Sequence, residues 1–445
     1  MFFNRNITIV LLFSILSIIC SCESDNNQDN PQHTVDFVNT YGGSKNDRAQ
    51  SITSTTDGGY AILGYTQSSD GDISDKPIEG YDYWVLKFDS NNSIQWSKTY
   101  GGTEDDRGNK IIQTPEGGYA ILGYTYSSNQ DVTENAGLQD YWLAKLDATG
   151  NIIWQKSYGY SGLDNGISIT QTSDSGFLLV GVLDVTASGG AGNTKLNTSK
   201  HAGGDYWAIK IDSNGIIQWS KYYGGSFTDT PYDVIKTEDN GYIIIGSSDS
   251  NDVDISNNLG EYDFWVIKIA ATGELLWEKN YGGSQIDEAR SIIDTNDGNY
   301  LIVGDSRSND FDVSQNFGGA DVWVIKITPL GELIWEKSFG GSSFDVSRSI
   351  KKTQDNGFLI SGSSRSADGN LTRNQGQNDA WLFKINSEGS LIWQKSIGGS
   401  NIDYTYDVTE LYDSSIIAVG ESESIDGDVS ENKGFSDVLI IKITN

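Results

Sequence analysis

Short apolar segments separated by polar turns recur along most of the chain. The first repeat contains four of them, AQSITST, YAILGYT, DYWVLKF and IQWSKTY, and β-branched and aromatic residues dominate in each. Turns such as TDGG and DSNNS separate the segments, and no helical period continues long enough to compete. We therefore predict that each segment is a β-strand and that each repeat is a four-stranded antiparallel unit.

The length of the repeat is set by the motif W-x-K-x-[YF]-G-G. Its Trp residues are separated by 58, 65, 58, 58 and 58 residues, and a degenerate copy, FVNTYGG, begins at Phe37. A unit of this size cannot bury its apolar face alone, so the copies must stack on one another. Because these Trp residues recur at one register, they are predicted to be structural. They are Trp96, Trp154, Trp219, Trp277, Trp335 and Trp393.

The number of strands predicts how the repeats close. The first three segments occur seven times, and the fourth occurs six times after its own unit and once at the start, as VDFVNTY. This indicates an all-β fold, a seven-bladed β-propeller of four-stranded antiparallel blades closed by the N-terminal strand, which would leave no open sheet edge. The blades are predicted at about residues 42–100, 101–158, 159–223, 224–281, 282–339, 340–397 and 398–445 plus 35–41.

The N-terminus is typical of an export signal. Arg5 precedes an apolar run that is too short to span a bilayer as a mature helix. Ile19 and Ser21, at positions minus three and minus one of Cys22, resemble a bacterial lipoprotein signal. We therefore predict that residues 1–21 are removed and that Cys22 is acylated. The alternative is an ordinary secretory signal that is cleaved nearby.

A polar tether, residues 22–34, is predicted to follow the signal. Glu23 to Thr34 contains no aliphatic residue and cannot form a core. An acidic stretch directly after an acylated Cys resembles the surface-export signal of Bacteroidota lipoproteins. This resemblance implies a protein that is lipid-anchored in the outer membrane and exposed at the cell surface.

The repeats carry a resemblance of their own. Over residues 35–445, the W-x-K-x-[YF]-G-G units resemble the repetitive β-propeller lipoproteins of Bacteroidota. The order of turns within a unit also resembles a WD repeat, although the period is longer and the WD dipeptide is missing. These resemblances imply a fold and an anchor but do not name a ligand.

The charge limits the choice of partners. The chain has 30 Lys and Arg against 61 Asp and Glu, a formal net charge of −31. This balance argues against nucleic acid and anionic lipid headgroups, and it favours cations or basic partners.

Two Asp positions recur in all seven repeats. Because the strands alternate in direction, the fourth-to-first and second-to-third connections must emerge on one face, and both Asp sets are expected there. One interpretation is a binding face, and the alternative is that each carboxylate accepts backbone N–H bonds in its own turn. The first set follows the G-G turn and comprises Asp47, Asp106, Asp164, Asp229, Asp287, Asp345 and Asp403. The second precedes the third strand and comprises Asp82, Asp140, Asp205, Asp263, Asp321, Asp379 and Asp437.

The second-to-third connections also contain D-x-D pairs followed by a hydroxyl residue, as in SSDGDIS and SNDVDIS. Such pairs supply hard oxygen ligands that Ca²⁺ could use, although the full calcium loop of an EF-hand is missing. The alternative is a solvated turn. The candidate ligands are Asp70, Asp72, Asp252, Asp254, Asp310, Asp312, Asp426 and Asp428.

The third repeat breaks the symmetry. Its second-to-third connection, Asp184 to Gly204, lacks the D-x-D pair and contains Lys195, Lys200 and His201. A deviation inside a repeat array can mark a specific contact, so these three residues join the candidate binding face. The alternative is a loop that has drifted in sequence.

Enzyme signatures do not stand out. The two histidines, His33 and His201, provide neither a zinc cluster nor a Ser/His/Asp triad. The sequence therefore favours a non-enzymatic protein- or glycan-binding or scaffolding module. A carbohydrate-active or glycan-uptake accessory protein is the alternative, and a deep pocket with two acids that break the sevenfold regularity would favour it. An open, regular face would favour binding.

Overall fold

In the computed structural model, residues 1, 33–76, 80–192 and 201–444 are described. Their regular structure consists of 28 strands that form seven four-stranded antiparallel sheets. The sheets are the blades of a seven-bladed β-propeller, as the repeat predicts. Within the described ranges, no helix is long and apolar enough to cross a membrane.

Each blade is built from a first strand at the centre of the ring, followed outward by a second strand. The first strands are β2 (Asp47–Ser54), β6 (Asp106–Gln113), β10 (Asn165–Gln171), β14 (Asp229–Lys236), β18 (Asp287–Asp294), β22 (Asp345–Lys352) and β26 (Asp403–Glu410). The second strands are β3 (Tyr60–Thr66), β7 (Tyr119–Thr125), β11 (Phe177–Asp184), β15 (Tyr242–Ser248), β19 (Tyr300–Ser306), β23 (Phe358–Ser364) and β27 (Ile416–Ser422).

A third and a fourth strand complete each blade towards the rim. The third strands are β4 (Asp82–Phe88), β8 (Asp140–Leu146), β12 (Gly204–Ile211), β16 (Asp263–Ile269), β20 (Asp321–Ile327), β24 (Asp379–Ile385) and β28 (Asp437–Thr444). The fourth strands are β5 (Ile94–Tyr100), β9 (Ile152–Tyr158), β13 (Ile217–Tyr223), β17 (Leu275–Tyr281), β21 (Leu333–Phe339), β25 (Leu391–Ile397) and, for the last blade, β1 (Thr34–Tyr41).

Burial along each strand follows its place in the blade. In blade one, every residue of β3 and β4 is buried, whereas β5 is mostly exposed or half-buried. The middle strands are covered on both faces because each blade packs between two neighbours, so their sequences are nearly continuous apolar runs. The core therefore lies between the blades.

Apolar clusters join each blade to the next. Tyr83 and Val85 of blade one pack with Ile121 and Trp142 of blade two. The hydroxyl of Tyr83 also donates a hydrogen bond to the carbonyl of Trp142 at 3.0 Å. The third-strand Trp side chains are buried and the fourth-strand ones pack against the clusters, so these Trp residues stabilise the blade interfaces.

The ring closes at blade seven. Strand β1 pairs antiparallel with β28, and the two termini thereby share one sheet. Blade seven then contacts blade one as other blades contact their successors, through a parallel bridge between Ser436 and Asn46 and a shared apolar cluster. This arrangement agrees with the predicted closure by the N-terminal strand.

Deletion of Val35 to Tyr41 is expected to lower the melting temperature and to promote aggregation, because it exposes the edge of β28. Differential scanning calorimetry and size-exclusion chromatography would measure both effects. Deletion of residues 23–32 is the control, since it shortens the chain without removing a described strand. Equal melting temperatures for the two deletions would contradict the closure.

Candidate functional site

The face that carries the fourth-to-first and second-to-third connections is called the upper face. The first Asp set, called the inner aspartates, lies beneath it, and all seven side chains are fully buried. Asp47 accepts the N–H of Gly43 at 2.7 Å and the hydroxyl of Ser68 at 2.8 Å. In blade three, which lacks these hydroxyls, Asp164 accepts the N–H of Asp184 instead. The inner aspartates therefore satisfy turns of their own blades.

The D-x-D pairs join two connections of the upper face. Asp70 accepts the N–H of Ser44 at 2.7 Å, and Asp72 accepts the N–H of Gly42 at 2.9 Å. Asp426 accepts the N–H of Ser400 in the same way, at 2.7 Å. Each pair thus uses carboxylate oxygens to hold the G-G turn that enters its own blade.

The second Asp set, called the third-strand aspartates, faces the inner aspartates of the next blade. The first glycine of each G-G turn lies between the two carboxylates. A Cβ atom added to Gly398 would lie 2.8 Å from Asp379 Oδ1 and 2.7 Å from Asp403 Oδ2. This close approach explains why the motif requires glycine there. In six of the seven aspartates the Oδ1 atom is buried without a hydrogen-bond partner within the described residues.

These carboxyl groups have raised pKa values. Burial is the main cause, and it raises the pKa of Asp82 and Asp263 to about 7 and that of Asp321 and Asp437 to about 6. The neighbouring inner aspartate adds to the effect, because two close carboxylates resist being charged together. In mildly acidic solution the pairs therefore hold protons that exposed Asp residues would release.

His201 occupies a special place in blade three. In other blades a backbone N–H reaches the third-strand aspartate, as Gln375 reaches Asp379 at 2.9 Å. Here the His201 ring nitrogen Nδ1 lies 2.6 Å from Asp205 Oδ2. Burial opposes its charge, but the hydrogen bond and the charge of Asp205 outweigh burial and raise the pKa of His201.

The other candidate residues remain predictions. Lys195, Lys200 and Cys22 lie outside the described residues. Among the residues that are described, no group of three or more His, Cys, Asp or Glu side chains is arranged to hold a metal ion. Calcium binding by the D-x-D pairs stays a prediction from the sequence.

A cavity of about 350 Å³ opens in the central channel, which the seven first strands surround. All seven strands contribute to its wall. One position per blade points into it, and the residues there differ from blade to blade. These residues are, in blade order, Gln50, Asn109, Ile167, Tyr232, Arg290, Arg348 and Tyr406.

One position further along the first strands, hydrogen bonds between blades form a belt around the channel. Ser168 and Ser291 donate to the two carboxylate oxygens of Asp233, at 2.8 Å and 3.0 Å. Ser349 and Ser51 similarly donate to Asp407, at 2.5 Å and 3.2 Å. Through Asp233 the belt links blades three, four and five, and through Asp407 it links blades six, seven and one. The sequence analysis did not predict this channel site.

Two of the channel arginines have carboxylate partners. Arg48 makes a two-point contact with Glu421, at 2.6 Å and 2.8 Å. Arg290 donates to Glu288 at 2.7 Å and lies 4.2 Å from the ring centroid of Tyr232. Such forked and stacked contacts fix the guanidinium planes.

Exposed apolar side chains border the upper face. Its connections carry ten large ones, with Phe435 74% and Phe311 68% exposed, whereas the connections of the opposite face carry three among the described residues. The ten, called the apolar rim, are Tyr126, Leu138, Leu163, Phe227, Val253, Phe311, Phe317, Phe344, Ile425 and Phe435. The exposed apolar side chains of the connections are therefore distributed unevenly between the two faces.

No protein-family model matches the chain. It is similar to the regulatory protein FlaEY of Caulobacter vibrioides, with 20% identity over 82% of this chain, and it spans 41% of that relative's length.

Two solved structures are similar to the chain. A protein of unknown function from Bacteroides caccae is 11% identical, with a TM-score of 0.41, and covers 75% of this chain and 93% of its own. The Pan2 WD40 domain of Neurospora crassa is 9% identical, with a TM-score of 0.49, and covers 92% of this chain and 95% of its own. At these values the likeness does not extend to function.

The stability of the protein is expected to fall as the pH rises from 5 to 8. An unfolded Asp releases its proton near pH 3.8, whereas Asp82 and Asp263 have pKa values of about 7 in the fold. Between these values the folded chain holds more protons, so raising the pH favours unfolding. We expect the melting temperature to drop by about 3 °C or more over this range.

The variant Asp263→Asn should reduce this pH dependence, because the amide cannot ionise. Asp147→Asn is the matched control, since it removes one exposed carboxylate whose pKa is about 2, held low by hydrogen bonds from Asn151 and Thr149. Calorimetry at pH 5, 6, 7 and 8 would compare the variants. A melting temperature that rises steadily over this range would show that the buried pairs do not govern stability.

Proposed function

We propose that the chain is a non-enzymatic binding or scaffolding propeller that presents its upper face to a protein or glycan ligand. The apolar rim is the observation that carries this proposal. Ten exposed apolar side chains gather on one face of an acidic protein, and leaving them in water is unfavourable unless a partner covers them. The inner aspartates beneath the rim are committed to turns of their own blades, so the exposed rim is the part of this face that can contact a partner.

A carbohydrate-active protein is the second candidate. Asp233 and Asp407 line the channel cavity and break the sevenfold regularity, which is the feature expected of an enzyme site. A glycosidase of this kind needs one carboxyl group that holds a proton, with a raised pKa. Burial would raise the pKa of Asp407, but Lys351, Lys110 and the hydrogen bonds outweigh it and lower the pKa. These acids therefore support a structural belt better than acid catalysis.

The proposed location is the outer surface of the outer membrane. It follows from the lipoprotein signal at Cys22, the acidic tether and the resemblance to Bacteroidota propeller lipoproteins. In that setting the protein would capture a ligand at the cell surface or join other chains of a surface complex. A role as an accessory to glycan uptake belongs to the same setting.

Removing part of the apolar rim is expected to abolish ligand capture. The double variant Phe311→Ser, Phe435→Ser should retain less than about a tenth of the wild-type partner or glycan after cross-linking on intact cells, because each exposed ring contributes buried area to the contact. Leu330→Ser with Tyr412→Ser is the matched control, with 71% exposure at both positions on the opposite face. Equal capture by both double variants would refute the proposed face.

The anchor is tested separately with Cys22→Ala. We expect this variant in the soluble fraction, while the parent partitions into detergent, because only the parent carries acyl chains. External protease on whole cells should also cleave the parent. A parent that resists protease on intact cells but is cleaved after lysis would face inward.

A further inference from the structure

The channel cavity gathers basic side chains in an acidic protein. Four basic and two acidic side chains line it, in a chain whose formal net charge is −31. The basic residues are Arg48, Lys110, Arg290 and Arg348, and the acidic ones are Asp233 and Asp407. Glu421 and Glu288 pair with Arg48 and Arg290, so within the described residues Arg348 is the arginine of this group without a carboxylate within 4 Å.

The side chains around the cavity are ordered in two arcs. Four consecutive blades contribute Tyr232, Arg290, Arg348 and Tyr406 at the same strand position. On the other side lie the amides of Gln50 and Asn109. Asn109 Nδ2 donates to Asn165 Oδ1 at 3.1 Å and to the carbonyl of Gly166 at 2.7 Å, so its Oδ1 is the atom that can accept a hydrogen bond from a ligand. The two arginines therefore lie between two aromatic rings and face polar amides.

Arg348 lacks the partners that the other channel arginines have. Its guanidinium makes no hydrogen bond and no ion pair within 4 Å to any part of the chain that is described. Burial and the neighbouring charge of Arg290 lower the pKa of Arg348. Arg290 differs in this respect, because its Nε makes no hydrogen bond among the described residues but lies 3.6 Å from Asp305 Oδ1 as an ion pair. A partly buried guanidinium is costly to leave without an acceptor, and an anion in the cavity would satisfy that of Arg348.

We propose that the channel cavity binds the carboxylate of an acidic saccharide, a hexuronic acid unit. This inference rests on the proposed binding function and names the ligand class for the centre of the upper face. Arg348 and Arg290 would receive the carboxylate, with Arg348 as the main contact. The rings of Tyr232 and Tyr406 would flank the sugar, and Gln50 and Asn109 would bind its hydroxyl groups. The cavity volume of about 350 Å³ admits one or two sugar rings.

Other anions fit the site less well. Inorganic phosphate would use the arginines but would leave the aromatic rings and the amides without a role. An acidic amino-acid side chain would use the arginines and would present few hydroxyl groups to Gln50 and Asn109. The hydroxyl-rich ring of a uronic acid is the ligand that uses all three kinds of side chain.

The test is calorimetric titration of the full-length chain, purified in detergent. The probes are sodium glucuronate and sodium galacturonate, with glucose and galactose as neutral controls. We expect at least one uronate to bind and both neutral sugars to bind at least about tenfold more weakly.

Arg348→Gln should weaken uronate binding at least about tenfold. Arg373→Gln removes an equal charge from the same face, where Arg373 is paired with Asp428 at 2.5 Å, and should bind like the wild type.

A second readout separates ligand binding from a structural role. Without ligand, Arg348→Gln should raise the melting temperature by about 1 °C or more, because it relieves the repulsion with Arg290. A lower melting temperature would assign Arg348 to the structure instead. Uronate binding that is unchanged in Arg348→Gln, or phosphate or N-acetylglutamate binding as tightly as uronate, would overturn the inference. Loss of capture by the rim variant without any uronate binding would overturn it and leave the proposed function standing.

Discussion

The hydrogen bonds that carboxylates accept from the G-G turn are the interaction on which the rest of the structure depends. Each turn passes from the rim of one blade to the centre of the next, so in the first turn Gly42 and Gly43 are buried, whereas Ser44 is exposed. Asp47, Asp70 and Asp72 together accept the three successive N–H groups of these residues. Without Asp47 the buried N–H of Gly43 would be unsatisfied, at about 1–3 kcal/mol. The motif and the aspartates recur together because each requires the other.

This solution places many carboxylates close together. The third-strand aspartate of one blade and the inner aspartate of the next both approach the same glycine, as Asp379 and Asp403 approach Gly398. Such pairs are stable when they share a proton, and they are strained when both are charged. The protein therefore combines a rigid ring of turns with a dependence on proton uptake that a propeller held by neutral turns would not have.

Much of the architecture follows from the sequence because repeated positions are mostly structural. The strand count gives seven blades, and the extra VDFVNTY segment gives the closing strand. Turn capping by the inner aspartates is also among the interpretations that the sequence supports. The arc of Tyr232, Arg290, Arg348 and Tyr406 could not be found in this way, because it lies at a position where the repeats differ. The signal in the sequence is that the residue at this position of the first strand changes from blade to blade, whereas the rest of the strand is more regular.

The net charge does not show how the charged groups are distributed around the channel. A chain-wide value of −31 averages over surface turns and buried pairs, whereas a ligand responds to the few groups around it. Arg48 is paired with Glu421, which lies 373 residues further along the chain, and only the fold brings these two side chains together. Glu288, by contrast, precedes Arg290 by two positions in the same strand.

The direction of the closing strand has a geometric consequence. Strand β1 begins opposite Thr444, at the end of β28 away from the upper face, and finishes opposite Val438, close to that face. A chain entering β1 therefore arrives from the underside of the disc, at its periphery. If its lipid is attached at Cys22, tension along the tether would draw the underside towards the membrane. The channel mouth and the apolar rim would then face away from the membrane, towards the medium from which ligands arrive.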